Sequence, residues 1–185
     1  MPYEKKVIII DNSNLSYSGE DINGVNLRGT ETSLILLAEQ FIRLGIEVHF
    51  CNNILKAKVF NGVKYFNKKE IDKTYLYNLA IAVSDANQFD NVNALKKAVF
   101  SNSNQPLEKF VRKNQLLPFL KHKPVLVTLC NYQYNKRSFL TSFYGKRMIP
   151  ITVDPKFINA DIDLNYIPKK KVVYNIRSNR NLDWL

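Results

Sequence analysis

The chain has 185 residues, 45% of them hydrophobic, and its 27 Lys and Arg outnumber 16 Asp and Glu to give a formal net charge of +11. This hydrophobic content, with 10 Tyr and 11 Phe, excludes an intrinsically disordered protein, and the length suffices for one well-packed domain and part of another. No run approaches the roughly 18 apolar residues of a transmembrane helix, and the opening MPYEKK lacks the apolar core of a signal peptide.

Cys51 and Cys130 stand alone in apolar stretches. Because they lack the spacing of metal ligands, they predict buried thiols in a reducing compartment and hence a cytoplasmic protein. The positive charge is uneven, since residues 109–153 contain nine Lys and Arg and no Asp or Glu. Such a bias is typical of a solvated basic surface or of peripheral contact with an anionic membrane or another polyanion, and the sequence leaves both interpretations open.

The first patterned segments predict a strand, a helix and a second strand. An apolar run predicts a strand at 6–11. Apolar residues that recur every three or four positions predict an amphipathic helix over residues 31–44, with Thr30 as its N-cap and Gly45 at its end. The second strand follows at 46–51 after a short turn. A βαβ unit of this kind indicates a parallel sheet.

The rest of the chain continues this alternation. Asn61-Gly62 predicts a tight hairpin turn. Strands are predicted at 56–60, 63–66, 79–83, 98–101, 125–130 and 148–153, and helices at 106–121 and 135–144. Residues 154–169 have the irregular, proline-containing composition of an interdomain linker. We therefore expect an α/β domain with a Rossmann-like parallel sheet over residues 1–165, and the start of a second domain over 166–185.

Three separated segments resemble the retaining GT-B glycosyltransferases of group 1, the family 4-like enzymes. Gly29-Thr30-Glu31 and, at the end of the helix, Leu44-Gly45-Ile46-Glu47-Val48 are similar to the glycine loop and the G-H-E-V ending of that family's first βαβ unit. Residues 149–157 (IPITVDPKF) resemble its I-P-N-G-V-D segment, and residues 177–182 (RSNRNL) resemble the turn that opens its donor domain. The segments occur in the order of the family.

This resemblance implies the N-terminal half of a GT-B fold followed by the first part of the donor domain. The complete enzyme would transfer a sugar from a nucleotide-sugar donor to a saccharide, lipid or glycoconjugate acceptor, without a metal or another cofactor and without nucleic acid as a partner. Gly29 and Thr30 would face the donor diphosphate at a helix N-terminus. Arg177 and Arg180 would supply positive charge to the leaving diphosphate.

On the acceptor side the resemblance implies roles for Asn12 and Ser103. Asn102 stands where many members carry a histidine near the reacting sugar, so it is the polar substitute for a catalytic group. Arg28 replaces the first glycine of the family pair. The Glu-x7-Glu region that binds the donor sugar would lie beyond residue 185, so we expect the chain alone to be inactive. A non-catalytic subunit of a split glycosyltransferase is a further interpretation.

A competing resemblance is to the PIN/NYN nucleases. VIIIDNSN, with Asp11 after the strand and Asn14 shortly beyond, is similar to the first motif of that family. Asp85 and Asp90 would complete an acidic cluster. Carboxylates gathered at strand ends hold Mg²⁺ or Mn²⁺ and activate water for phosphodiester cleavage, and a net positive charge suits RNA. The structural alternative is that Asp11 ends a strand and that Asp85 and Asp90 belong to an ordinary loop.

Overall fold

The structure, a computed structural model, describes residues 5–23, 27–101, 111–128 and 146–148. Its helical segments include α1 (Gly29–Arg43), α2 (Leu116–His122) and short 3₁₀ helices at Gly19–Asn23, Lys68–Glu70 and Ala86–Asn91. The strands are, in chain order, β1 (Lys6–Ile10), β2 (Glu47–Asn52), β3 (Lys58–Phe60), β4 (Val63–Asn67), β5 (Leu76–Val83), β6 (Asn93–Ser101), β7 (Val125–Thr128) and β8 (Lys146–Met148). These residues all belong to one compact unit, Met1–Ile151.

The described strands form one eight-stranded sheet in the order β3-β4-β2-β1-β5-β6-β7-β8. The hairpin partner β3 is antiparallel to β4, and the other neighbouring pairs are parallel. The predicted α/β class is therefore confirmed, with a mostly parallel sheet compatible with a Rossmann-like fold. The hairpin at Asn61-Gly62 is also confirmed, since both residues have positive φ, 47° and 82°.

The core lies on both faces of the sheet, which is why β1 reads as a continuous apolar run. Ile8, Ile9 and Ile10 are all 0% exposed. On one face β1 packs with the buried side of α1, which consists of Leu34, Ile35 and Ala38. On the other face the 3₁₀ helix Ala86–Asn91 and α2 contribute Phe89 and Phe119 to a second cluster.

The N-terminal end of α1 differs from the prediction, whereas its C-terminal end agrees with it. The structure places the N-cap at Arg28, in an extended conformation and without a side-chain cap, so the prediction of Thr30 as N-cap is wrong. Thr30 lies instead inside the first turn. Gly45 ends the helix as predicted, because its φ of +73° and its N–H bond to the Ile42 carbonyl (2.9 Å) stop the helical path.

The prediction of one continuous helix over residues 106–121 is also wrong, because the helix is interrupted within residues 111–121, the part that the structure describes. The chain turns at Lys113 and Asn114, and Asn114 has a φ of +52°. A left-handed residue of this kind interrupts a right-handed helix, so α2 begins only at Leu116. Strands β5 and β6 start earlier than predicted, at Leu76 and Asn93.

The other predicted elements fall outside the described residues. These are the helix at 135–144, residues 149–153 of the last strand, the linker at 154–169, and the segment 166–185. Within the described part, no helix has the length and apolar character needed to cross a membrane.

Candidate functional site

The carboxyl ends of β1 and β5 lie side by side. This is the point in the sheet where the order of successive strands reverses. From β1 the chain builds outward through β2 and β4, and it then returns to add β5, β6, β7 and β8 on the other side. In open α/β sheets, the crevice outside the strand ends at such a reversal is the usual ligand site. Asp11 follows β1 and Asp85 closely follows β5, so two carboxylates stand at this edge.

Asp11 is a buried carboxylate held by its own loop, with only 4% of the residue exposed. The Ser13 backbone N–H donates to Oδ1 (3.0 Å), and the Ser13 hydroxyl (2.7 Å) and the Tyr17 hydroxyl (2.8 Å) donate to Oδ2. Burial, followed by the charge of Asp11, raises the pKa of Tyr17, so Tyr17 remains a neutral donor. Because a carboxylate has about four acceptor positions, the three donors that the described residues supply leave one position at Asp11 for a further contact.

Asp85 accepts several hydrogen bonds from the chain around it. Asn87 donates to Oδ1 from its backbone (3.0 Å) and its side chain (2.9 Å), which caps the 3₁₀ helix Ala86–Asn91. Gln115 donates to Oδ1 (2.7 Å) and Gln88 to Oδ2 (2.9 Å). Burial alone would raise the pKa of Asp85, but these hydrogen bonds outweigh it and hold the pKa below its usual value. Asp85 is therefore an ionised, rigidly placed carboxylate.

Asn12, which follows β1, forms hydrogen bonds with the segment after β5 and with the ammonium group of a lysine. Its Nδ2 donates to Asp85 Oδ2 (3.1 Å), and its Oδ1 accepts from Lys68 Nζ (2.8 Å). Lys68 opens the 3₁₀ helix that follows β4. The edge thus combines two carboxylates, an exposed amide and an ammonium group, which lie in the segments that follow β1, β4 and β5.

Glu31 adds a buried carboxylate close to this loop. The sequence treats it as a residue of the first helical turn, but it is only 4% exposed, and its Oε2 has no hydrogen-bond partner among the described residues. Its charge is among the causes that raise the pKa of Tyr17, after burial and Asp11. Glu31 precedes Leu34, Ile35 and Ala38 by three, four and seven positions, so it lies on the buried face of α1; the helical period indicated this burial, but an acidic residue in a first turn is ordinarily interpreted as solvent-exposed.

A cleft of about 500 Å³ opens beside Tyr17, between the loop after β1 and the segment that joins β2 to β3. Lys58 at its wall is paired with Glu20 (2.6 Å), and Lys56 is exposed. The lining residues are Ser16, Tyr17, Asp21, Ile54, Leu55, Lys56, Ala57 and Lys58. The cleft adjoins the Asp11 loop through Tyr17, and both acidic and basic residues line it.

The residues predicted from the glycosyltransferase resemblance are only partly described. Asn12 lies at the carboxyl edge, and Gly29 and Thr30 form the first turn of α1. A Cβ built on Gly29 would meet no atom of the described residues within 4 Å, so these residues leave that side of the start of α1 open. Asn102, Ser103, Arg177 and Arg180 lie outside the described residues.

Asp11, Asp85 and Asp90 do not form the predicted acidic cluster. Asp90 lies near the other end of the 3₁₀ helix and bonds to Lys121 (2.6 Å) and His122 (2.8 Å) of α2. Its membership in a cluster with Asp11 and Asp85 is therefore wrong. The part of the chain that the structure describes holds no group of three or more His, Cys, Asp or Glu placed to bind a metal.

Cys51 is a buried thiol, as predicted, and Cys130 lies outside the described residues. Burial raises the pKa of Cys51 to about 12, so the thiol stays protonated and unreactive at neutral pH.

Comparison with known proteins adds no assignment to this site. The chain matches no protein-family model, no curated protein and no solved structure.

Proposed function

We propose that this chain is a metal-dependent ribonuclease of the PIN/NYN type, with its site at the carboxyl edge between β1 and β5. The observation that supports this best is the hydrogen bond from Asn12 to Asp85 (3.1 Å), which joins the end of β1 to the end of β5 at the reversal of strand order. Carboxylates at such an edge are suited to hold a divalent cation against a phosphate group.

The ligand chemistry at this edge fits Mg²⁺ or Mn²⁺. These cations prefer oxygen ligands, and Mg²⁺ is commonly held by one or two carboxylates together with water and substrate phosphate. Asp11 retains an acceptor position, whereas Asp85 would exchange one of its amide contacts for the cation. When bound, the cation would act as a Lewis acid and supply activated water for phosphodiester cleavage.

The chain's own residues would orient the carboxylates and neutralise the substrate. Ser13 and Tyr17 fix Asp11, and Gln115 fixes Asp85. Lys68 lies at the edge itself. Lys56 and Lys58 line the cleft beside Tyr17, where Lys58 would exchange its contact with Glu20 for a phosphate. Lysine side chains along such a path would follow a phosphate backbone and make binding depend on salt concentration.

The test is cleavage of a fluorescently labelled single-stranded RNA by the full chain in Mn²⁺ or Mg²⁺. We expect cleavage that stops on addition of EDTA and that is lost in Asp11→Asn and in Asp85→Asn, because each change removes a charged ligand while keeping the side-chain size. The matched control is Asp72→Asn, which alters an exposed carboxylate bonded to Thr74 and should leave cleavage unchanged.

Circular dichroism of each variant separates loss of the site from loss of the fold. The proposal fails if the wild-type chain leaves the RNA intact in both metals. It fails equally if folded Asp85→Asn cleaves at the wild-type rate.

A glycosyltransferase half-domain is our second proposal, and one feature favours it. Gly29 opens a helix of 15 residues and is exposed with free space at its Cβ position, which suits close approach of a donor phosphate to the helix N-terminus. Calorimetric titration with nucleotide sugars tests it. We expect binding that Gly29→Val, Arg177→Ala and Arg180→Ala weaken, whereas absence of binding to all donors would remove this proposal.

A further inference from the structure

A lysine, a histidine and an aspartate form a connected chain of contacts on the face of the sheet that α2 covers. Lys97 lies on β6, His122 ends α2, and Asp90 belongs to the 3₁₀ helix that precedes β6. Lys97 Nζ is 3.1 Å from His122 Nδ1, and His122 Nε2 is 2.8 Å from Asp90 Oδ1. The function proposed above does not use these residues.

The contacts select one arrangement of protons. A carboxylate only accepts, so His122 Nε2 must carry a hydrogen and donate it to Asp90. In the neutral imidazole, Nδ1 is then an acceptor and faces the Lys97 amine. Burial lowers the pKa of His122, although its bond to Asp90 opposes this shift, so the neutral ring is the resident form near neutral pH. A base therefore lies beside the amine, and a carboxylate orients the base.

The surroundings also lower the pKa of Lys97. Burial is the main cause that lowers the pKa of Lys97; the charge of Asp90 opposes this, and the charge of Lys121 adds to it. Lys121 donates to the same Asp90 oxygen as His122 (2.6 Å). The ring of Phe89 also lies nearby, with its centre 5.9 Å from Nζ. Lys97 is partly exposed, so it is not enclosed in the core.

We propose that Lys97 is a nucleophilic lysine that accepts acyl groups from thioesters, with His122 as its general base and Asp90 as the residue that orients the base. The geometry is that of an activated nucleophile, in which a base contacts the nucleophile and a third group fixes the base. The neutral amine attacks the thioester carbonyl, the new C–N bond forms, and the C–S bond breaks to release a thiolate. His122 Nδ1 takes the proton that the nitrogen loses, and this proton then passes to the thiolate.

The chain supplies its own reference in Lys96. This residue precedes Lys97 on the same strand, and its side chain is exposed and points to the opposite face. The experiment incubates the full chain with acetyl-coenzyme A and follows acetylation of each lysine over time by mass spectrometry of chymotryptic peptides. We expect Lys97 to react at least about tenfold faster than Lys96, since general base catalysis contributes a factor of 10² or more when fully expressed.

Two variants separate the proposed relay from simple exposure. His122→Gln removes the base, and Asp90→Asn removes the orienting charge at an exposed position. Both should bring the ratio of Lys97 to Lys96 acetylation toward one while Lys96 itself reacts as before. The proposal is overturned if wild-type Lys97 reacts no faster than Lys96, a result that needs no variant to fold, or if folded His122→Gln keeps the wild-type ratio. Either result leaves the ribonuclease proposal unaffected.

Discussion

The Tyr17 hydroxyl donates to a carboxylate that has almost no contact with water, since Asp11 is only 4% exposed. Tyr17→Phe keeps the ring and removes this donor. Ser13 still donates to the same oxygen, so the loss is that of one hydrogen bond to a charged group. Because such a bond contributes about 1.5–3 kcal/mol, we expect the free energy of unfolding to fall by about that amount, measured by urea denaturation.

Ser33→Ala is the control for that change. It removes a hydroxyl bonded to the Gly29 carbonyl at an exposed helix position, where alanine has the higher helix propensity. No loss of stability is expected. A loss in Ser33→Ala equal to that in Tyr17→Phe would show that the Tyr17–Asp11 contact has no special role.

His49 determines part of the pH dependence of stability. Burial lowers its pKa, against the opposing effect of Glu47, so the unfolded chain binds this proton more readily than the folded one. The contribution of neutral His49 to the free energy of unfolding should then be fully present above the ordinary histidine pKa of about 6.5, and it should decrease as the pH falls below that value. We predict that His49→Gln flattens the curve between about pH 7 and 5, measured by urea denaturation at each pH.

The neighbours of His49 titrate in other ranges. Burial would raise the pKa of Glu47, but hydrogen bonds from Lys64 and His49 outweigh it and lower the pKa, so its contribution persists until the pH falls below about 4. Burial raises the pKa of Tyr77. Since Nε2 of the neutral His49 ring donates to Glu47, the Tyr77 hydroxyl donates to His49 Nδ1 (2.7 Å). A slope in His49→Gln as steep as in the wild type would assign the effect to another group.

At the scale of elements, two glycines behave differently because their backbones differ. Gly62, in the turn between β3 and β4, has a φ of +82°, and a Cβ there would lie 3.0 Å from Ile42 Cγ2. Gly29 begins α1 with open space around its Cβ position. We predict that Gly62→Ala lowers the melting temperature, with a cost of about 1 kcal/mol or more, and that Gly29→Ala raises it slightly. Equal effects would contradict the assigned turn.

The elements that were predicted correctly have strong local patterns. The apolar period of α1 and the Asn61-Gly62 dipeptide specify their structures without distant contacts. The break at Asn114 was missed because Pro106–Lys121 has the composition of a continuous helix, and a single left-handed residue leaves no periodic signal. The start of β6 was missed because Leu95, Lys96 and Lys97 form a largely polar stretch that pairs with β5 rather than entering the core.

At the scale of the molecule, strand order determines which residues meet. Asp11 and Asp85 are 74 positions apart, and nothing local in the sequence says that β5 pairs with β1. The sequence could therefore identify both carboxylates as candidates but not that the strands they follow are neighbours, and it wrongly added Asp90. Gln115 and Tyr17, which fix the two carboxylates, were not nominated, because their roles depend on contacts across the fold and within a long loop.

The central claim is that a divalent cation binds at the edge between β1 and β5. The most direct measurement is NMR of the ¹⁵N-labelled full chain during titration with Mn²⁺, which broadens the signals of nearby amides. The account predicts that the amides of Asn12, Ser13, Ser84 and Asp85 broaden first and that Asp85→Asn weakens this effect. Broadening that starts elsewhere, for example at the exposed carboxylates Glu70 and Asp72, and that leaves these four amides unchanged would contradict it.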